Sequence, residues 1–370
     1  MRKTFLLLCS LAALASALHA QITLTGLPSG NNKKAFVGER IGLTDVVIHY
    51  DRPGVKGRSG KIWGQLIPAG FTDQGFGSSK AAPWRAGANE NTTIEFSKDV
   101  TIEGHPLKAG KYGFFVAYNP ESSILIFSRN STSWGSFYYN DQEDVLRVEV
   151  KPVRLDNEVE WLRYEFMDQT ENSATIALEW ERLRIPFKIE TDYTHDQLES
   201  YRRELRSERG FYWVAWNQAA QWCLQRNVNL DEALQWADSA SGNTFGGAHM
   251  FQPLSTKAEI LYKLGRTAEG DAIMKRAIPL ADVQELHQYG RSLLAQKKSK
   301  EALEVFQLNY KKNPDQFTTL MGLTRGYSAN GDYKNALKYA QLALPLAPPG
   351  ANKTNVESMI GKLKLGQDAN

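Results

Sequence analysis

The chain has 370 residues, more than one domain of roughly 100–200 residues accommodates, so two or three domains are expected. A hydrophobic content of 42% with 23% charged residues excludes a wholly disordered chain and a multi-pass membrane protein. The 44 basic and 41 acidic residues nearly balance, which excludes the clustered positive surplus that a dedicated nucleic-acid binder carries for phosphates.

The first twenty residues have the three-part build of a secretory signal. Arg2 and Lys3 precede an apolar run from Phe5 to Ala17, and small residues lead up to Gln21. Cleavage after Ala20 is expected, giving an exported protein of the periplasm or the cell exterior. No later apolar stretch reaches the about 18 residues of a membrane span. With Cys9 removed only Cys223 remains, so no internal disulfide is expected. Its setting between Trp222 and Leu224 reads as that of a small buried hydrophobe.

From Arg40 to Asp192 the hydrophobic period is two. Val46, Ile48 and Tyr50 alternate with polar neighbours, as do Ile94 and Phe96, then Tyr112, Phe114, Val116 and Tyr118. Leu146, Val148 and Val150 follow, and then Ile176, Leu178 and Trp180. Ile124–Phe127 is apolar without alternation, as a strand covered on both faces would be. Turn signals separate these runs, among them Asp51-Arg52-Pro53-Gly54 and Glu103-Gly104-His105-Pro106. Short strands at close spacing without helices predict an all-β antiparallel sandwich over 21–192.

Near Tyr193 the period changes to that of helices. A connecting helix is expected over 193–210, a helical repeat array over 211–365 and a short tail over 366–370. Alanine-type anchors at Ala233, Gly270, Ala302 and Ala336 are 37, 32 and 34 residues apart, bracketing the roughly 34-residue period of tetratricopeptide repeats. Ala258, Leu261 and Gly265, then Gly290 with Leu293, then Tyr327 with Gly331 occupy the matching first-helix positions. The small residues are expected where paired helices cross closely. The fold class is therefore a multidomain α+β chain: an antiparallel sandwich followed by a tetratricopeptide-like solenoid.

Four motifs carry a resemblance. Tyr50-Asp51-Arg52-Pro53-Gly54-Val55-Lys56-Gly57-Arg58, Ile62-Trp63-Gly64-Gln65-Leu66-Ile67-Pro68, Trp84-Arg85-Ala86-Gly87-Ala88-Asn89-Glu90-Asn91-Thr92 and Leu107-Lys108-Ala109-Gly110-Lys111-Tyr112-Gly113 resemble, in order, the bacterial domain-of-unknown-function 2911 family over about residues 35–190. The resemblance implies export and a β-sandwich-like fold, in some members with tetratricopeptide repeats behind it, and it assigns no activity. Phe71–Pro83 departs from the pattern as a longer insertion, so the loop beside Trp84 is expected to differ in shape.

The candidate ligand-binding residues are Arg58, Trp84, Arg85, Asn89, Glu90 and Asn91. Trp84 supplies an aromatic plane, its polar neighbours supply donors and acceptors, and Gly87 lets the backbone turn tightly. The blander reading is that these side chains tie a long loop to the sandwich. Asp51, Arg52, Lys56 and Gly57 form a second polar turn with Arg58. The histidines lack zinc-site spacing, and no phosphate loop, dinucleotide fingerprint or nucleophile elbow occurs, so neither a metal nor a cofactor is expected. His49, out of phase on its strand, should face solvent or a cleft. Glu158 with Glu160, and Glu179 with Glu181, have the spacing of a solvated sheet face and equally of a carboxylate dyad. The aromatic run Phe211-Tyr212-Trp213-Val214-Ala215-Trp216 predicts a helix buried on two sides. The function reading is a non-enzymatic binding protein, with repeats that hold a peptide or protein and a β domain that holds a polar ligand such as a glycan. The alternative is a glycan hydrolase using Glu90 with Asp51 or His49 near Trp84. A purely structural role linking envelope components also stays open.

Overall fold

The structure, a computed structural model, describes residues 32–370; the signal read at 1–20 lies outside them. The chain forms two compact units, divided after Leu198.

Ten strands make up the first unit: β1 (Lys33–Ile41), β2 (Thr44–Arg52), β3 (Thr93–Phe96), β4 (Val100–Ile102), β5 (His105–Leu107), β6 (Gly110–Ala117), β7 (Ser123–Ser128), β8 (Asp144–Val150), β9 (Val153–Met167) and β10 (Ser173–Thr191). They pair antiparallel in two sheets, one in the order β1-β2-β3-β6-β7-β8 and the other β5-β4-β10-β9. The period-two pattern sets the inner faces. Val46, Ile48 and Tyr50 are buried on β2 while Asp45 and His49 are exposed. Between the sheets Phe187 meets Phe114 and Phe127 at ring-centroid distances of 5.6 and 6.2 Å, and Tyr50 meets Tyr164 at 4.8 Å. The unbroken apolar run of β7 is covered twice, because Ile126 is buried as fully as Leu125 and Phe127. On the adjoining strand Phe115 is roofed by Tyr139, 5.4 Å away.

Two carboxylates depart from the solvated-face reading. Glu179 and Glu181 are buried. Glu179 takes bonds from Arg163 and Arg184, and Glu181 accepts the backbone N–H of Gly60. Glu179 keeps regular register opposite Arg163, whereas Glu181 sits at a register shift on β10, with a left-handed φ of 54°.

In the second unit helix α1 (Tyr193–Glu204), which begins in the first unit, is followed by four helix pairs: α2 (Trp213–Arg226) with α3 (Leu230–Ala240), α4 (Phe251–Lys263) with α5 (Thr267–Ala277), α6 (Val283–Ala295) with α7 (Ser299–Lys312), and α8 (Phe317–Ala329) with α9 (Tyr333–Ala343). A last helix, α10 (Ala351–Lys364), closes the unit. Ala233, Gly270, Ala302 and Ala336 are all buried in the pairs. The small positions have a sharper cause than backbone crossing. A Cβ on Gly270 would meet the Tyr262 ring at 2.4 Å, and one on Gly290 would meet Phe306 at 2.4 Å. The glycines are seats for aromatic rings of the partner helix, and Gly322 and Gly326 close round Phe306 in the same way. The tail is packed: Ala369 is buried with Leu320 and Met321, and its N–H reaches the Ser328 hydroxyl at 2.8 Å.

The expectation of a doubly buried aromatic helix fails. Phe211 and Tyr212 are 73% and 65% exposed, and Val214 is exposed as well. The buried face of α2 is instead built from Asn217, Ala219, Ala220 and Cys223, since small residues let the neighbouring helices approach. Trp216 turns aside, stacking on Phe245 at 5.2 Å and donating to the Gly210 carbonyl at 2.7 Å. Burial pushes the Cys223 thiol up to about 11, so it stays protonated and unreactive at neutral pH.

The helix pairs turn through left-handed residues: Asn227 and Asn229 in the first, with φ of 54° and 50°, then Gly265, Lys297 and Gly331, with φ of 77°, 62° and 77°. Only the third pair uses a long side chain there, against the steric cost of that region. Lys297→Gly is expected to raise the stability of the helical unit by about 1 kcal/mol, read as a higher urea midpoint in far-UV circular dichroism.

Candidate functional site

The long connection between β2 and β3 carries the candidate residues. It is fastened to β6 of the larger sheet, beyond the start of β3: Trp84 N–H donates to the Val116 carbonyl at 2.9 Å and the Val116 N–H returns a bond at 2.8 Å. Trp84 therefore extends the sheet as a one-residue strand. Its indole Nε1 bonds the Gly87 carbonyl at 3.0 Å. Its ring stacks on Trp180 with centroids 6.1 Å apart and meets the edge of Trp63 at 5.5 Å. After Trp84 the turn is taken by Ala86 and Asn89, with φ of 50° and 54°, and not by Gly87. Gly87 is required for proximity, since a Cβ there would lie 2.6 Å from Thr92 Oγ1. Two bonds pin the Ala86 carbonyl, from Tyr164 Oη at 2.7 Å and Thr92 Oγ1 at 3.1 Å.

Beside this loop lies a cavity of about 490 Å³ whose walls include Arg58, Gln74, Trp84, Arg85, Asn89 and Trp180. Arg58 is braced by the carbonyls of Val55 (Nε, 3.0 Å) and Gly54 (Nη2, 2.7 Å). Arg85 donates to the Asn89 carbonyl at 2.7 Å and lies 5.5 Å over the Phe137 ring. Burial depresses its guanidinium pKa. The cavity unites Arg58, Trp84, Arg85 and Asn89 out of the six candidates.

Glu90 and Asn91 are not among the residues lining this cavity. Asn91 is a tether: its amide reaches the Asn130 carbonyl at 3.2 Å and its backbone N–H the Ser133 carbonyl at 3.1 Å. Glu90 pairs with Lys34, which also lies 3.5 Å from Asp51. Asp51 is buried under the loop, accepting from Asn89 Nδ2 at 3.3 Å. Burial, reinforced by a hydrogen bond with Glu90, raises the Asp51 carboxyl. The bonds to Lys34 and then Asp51 lower Glu90. Both carboxyls meet at the Lys34 ammonium. His49 lies on the exposed face of β2, stacked on Phe36 at 5.6 Å. None of the three lines the cavity, so the hydrolase constellation is not assembled at Trp84. Among the described residues no group of three or more metal-ligating side chains comes together.

The second unit presents a site that the sequence reading did not single out. The first helices of successive pairs lie side by side. Gln221 on α2 donates to Thr256 on α4 (3.2 Å), and Gln284 on α6 to Thr318 on α8 (3.3 Å). Between α2 and α4 this face opens a cavity of about 560 Å³ lined by Gln221, Gln225, Ser255 and Glu259. Further along, Arg291 on α6 and Arg325 on α8 stand 34 residues apart, one repeat period. Their fields, with burial first, push His287 down to about 4. Burial and Arg291 together lower the half-buried Arg325. The recurrence of Arg at one period was the signal available in the sequence.

The connection and sandwich fall within a family match. Residues 32–189 match the model described as Protein of unknown function (DUF2911). They form a DUF2911 domain. The search of curated proteins finds no match. Among solved structures the chain is similar to MamA, residues 41 to the end, from Desulfovibrio magneticus RS-1, at 19% identity over 41% of this chain and 84% of that one, with a TM-score of 0.30. It is also similar to YrrB, titled a TPR protein with an unusual peptide-binding site, at 14% identity over 46% of this chain and 87% of that one, TM-score 0.30.

The buried carboxyl of the DUF2911 domain sets a pH signature. Its raised pKa means that the folded state holds the Asp51 proton more tightly than the unfolded chain does. The stability this contributes is full below the ordinary carboxylate range and is lost as pH rises through the raised value. Asp51→Asn is expected to gain stability relative to the parent as pH rises above the ordinary carboxylate range of about 4, measured as diverging urea midpoints.

Proposed function

We propose that the protein is an exported, non-enzymatic binding protein whose helical unit holds an acidic peptide or protein segment along the face formed by α2, α4, α6 and α8. The observation that carries this reading is the pair Arg291 and Arg325 with His287. These are cations at one repeat period on adjoining first helices, and no carboxylate partners Arg291 or Arg325 among the described residues. Arg325 is half-buried beside the exposed Arg291, and a half-buried guanidinium keeps its desolvation cost unless an anion meets it. A peptide carboxylate can do so with the planar two-point geometry that arginine favours. His287, neutral at physiological pH, adds a polar edge and no third charge.

Export rests on the tripartite pattern of residues 1–20, and N-terminal sequencing of the secreted protein is expected to begin at Gln21. Fluorescence anisotropy with a panel of acidic, neutral and basic peptides tests the binding reading. Acidic members are expected to bind, more weakly at high salt, and the double variant Arg291→Glu with Arg325→Glu to lose at least about tenfold in affinity. Equal binding of all three classes would end this reading.

A further inference from the structure

The cavity beside Trp84 holds two arginines and has no acidic residue in its walls. Arg58 spends its bonds on two backbone carbonyls and Arg85 on one. Most of their N–H donors are therefore left over, and among the described residues neither meets a carboxylate. The nearby acids are already engaged, because Lys34 pairs with both Asp51 and Glu90, and Asn89 donates to Asp51. Trp180, another wall residue, is 1% exposed, and its indole N–H has no acceptor among the described residues. An orphaned buried donor of this kind is uncommon, and beside two arginines with spare N–H groups it marks a place where an acceptor is missing. The Trp84 and Trp180 rings are nearly parallel, 22° apart, and give the cavity flat apolar surface. The volume of about 490 Å³ falls within the range of small-molecule sites.

We infer that this cavity binds a small organic anion, a carboxylate on a flat apolar body, with Arg58 and Arg85 on the acid group and the body laid against Trp84. A neutral glycan would satisfy the aromatic surface and leave both cations uncompensated. An inorganic anion would do the reverse. Only a ligand with both parts answers the whole lining. This inference is independent of the repeat unit and of what that unit binds.

Isothermal titration of the full chain with three probes tests it: naphthoate, its neutral amide, and inorganic phosphate. Naphthoate is expected to bind saturably, and the amide and phosphate at least about tenfold more weakly. Gln74 is an exposed wall residue, so Gln74→Glu adds a negative charge of unchanged shape without disturbing either arginine's bracing. It is expected to weaken naphthoate at least about tenfold while leaving the amide and the urea midpoint unchanged. Arg58→Gln is expected to weaken naphthoate similarly. Absence of saturable naphthoate binding, an amide as tight as the acid, phosphate as tight as naphthoate, or affinities indifferent to both substitutions would each overturn the inference.

Discussion

The paired bonds between Trp84 and Val116 fix the geometry on which the candidate site depends. A connection as long as that between β2 and β3 has a large conformational entropy to lose. Two sheet-type bonds to β6 make Trp84 part of the larger sheet. From that anchor the Trp84 ring is carried to Trp180 on the opposite sheet, and the left-handed residues Ala86 and Asn89 bring Arg85 back beneath Phe137. The cavity is what remains between the anchored loop and the sheet edges. It is a product of register as much as of residue type.

The two units answer the same physical problem differently. The sandwich can bury large rings because its sheets face one another across a continuous core, and Phe114, Phe127 and Phe187 fill it. Helix pairs have curved surfaces and little depth, so each large ring needs a compensating hollow. Gly290, Gly322 and Gly326 supply one for Phe306. Substituting any of these glycines would therefore be felt through the ring, even though the glycine itself makes no contact that a list of side-chain interactions would reveal.

Much of the fold was legible because periodicity reports burial. The alternation of Val46, Ile48 and Tyr50, and the spacing from Gly270 through Ala302 to Ala336, arise from the faces these residues present. The candidate site was legible only in part. Arg58, Trp84, Arg85 and Asn89 converge as their residue types suggested, whereas Glu90 and Asn91, in the same short segment, turn away. Nothing local separates Asn89 from Asn91, and the left-handed backbone at Asn89 decides which way each one points. Trp180 was unreadable as a wall because it arrives from a strand nearly a hundred residues later. The burial of Glu181 was hidden for a similar reason, since a register shift overrides the regular alternation that the sequence pattern presumes.

The meeting of Trp63, Trp84 and Trp180 has a consequence beyond packing. With ring centroids separated by 5.5 to 6.1 Å, the three indoles are close enough for their electronic transitions to couple, and the DUF2911 domain carries a built-in chromophore triad. Because two of the three rings also form a cavity wall, a change of a few degrees between Trp84 and Trp180 would alter the rotational strength of their shared near-ultraviolet bands. The domain thus contains its own optical gauge of that wall, with no label attached.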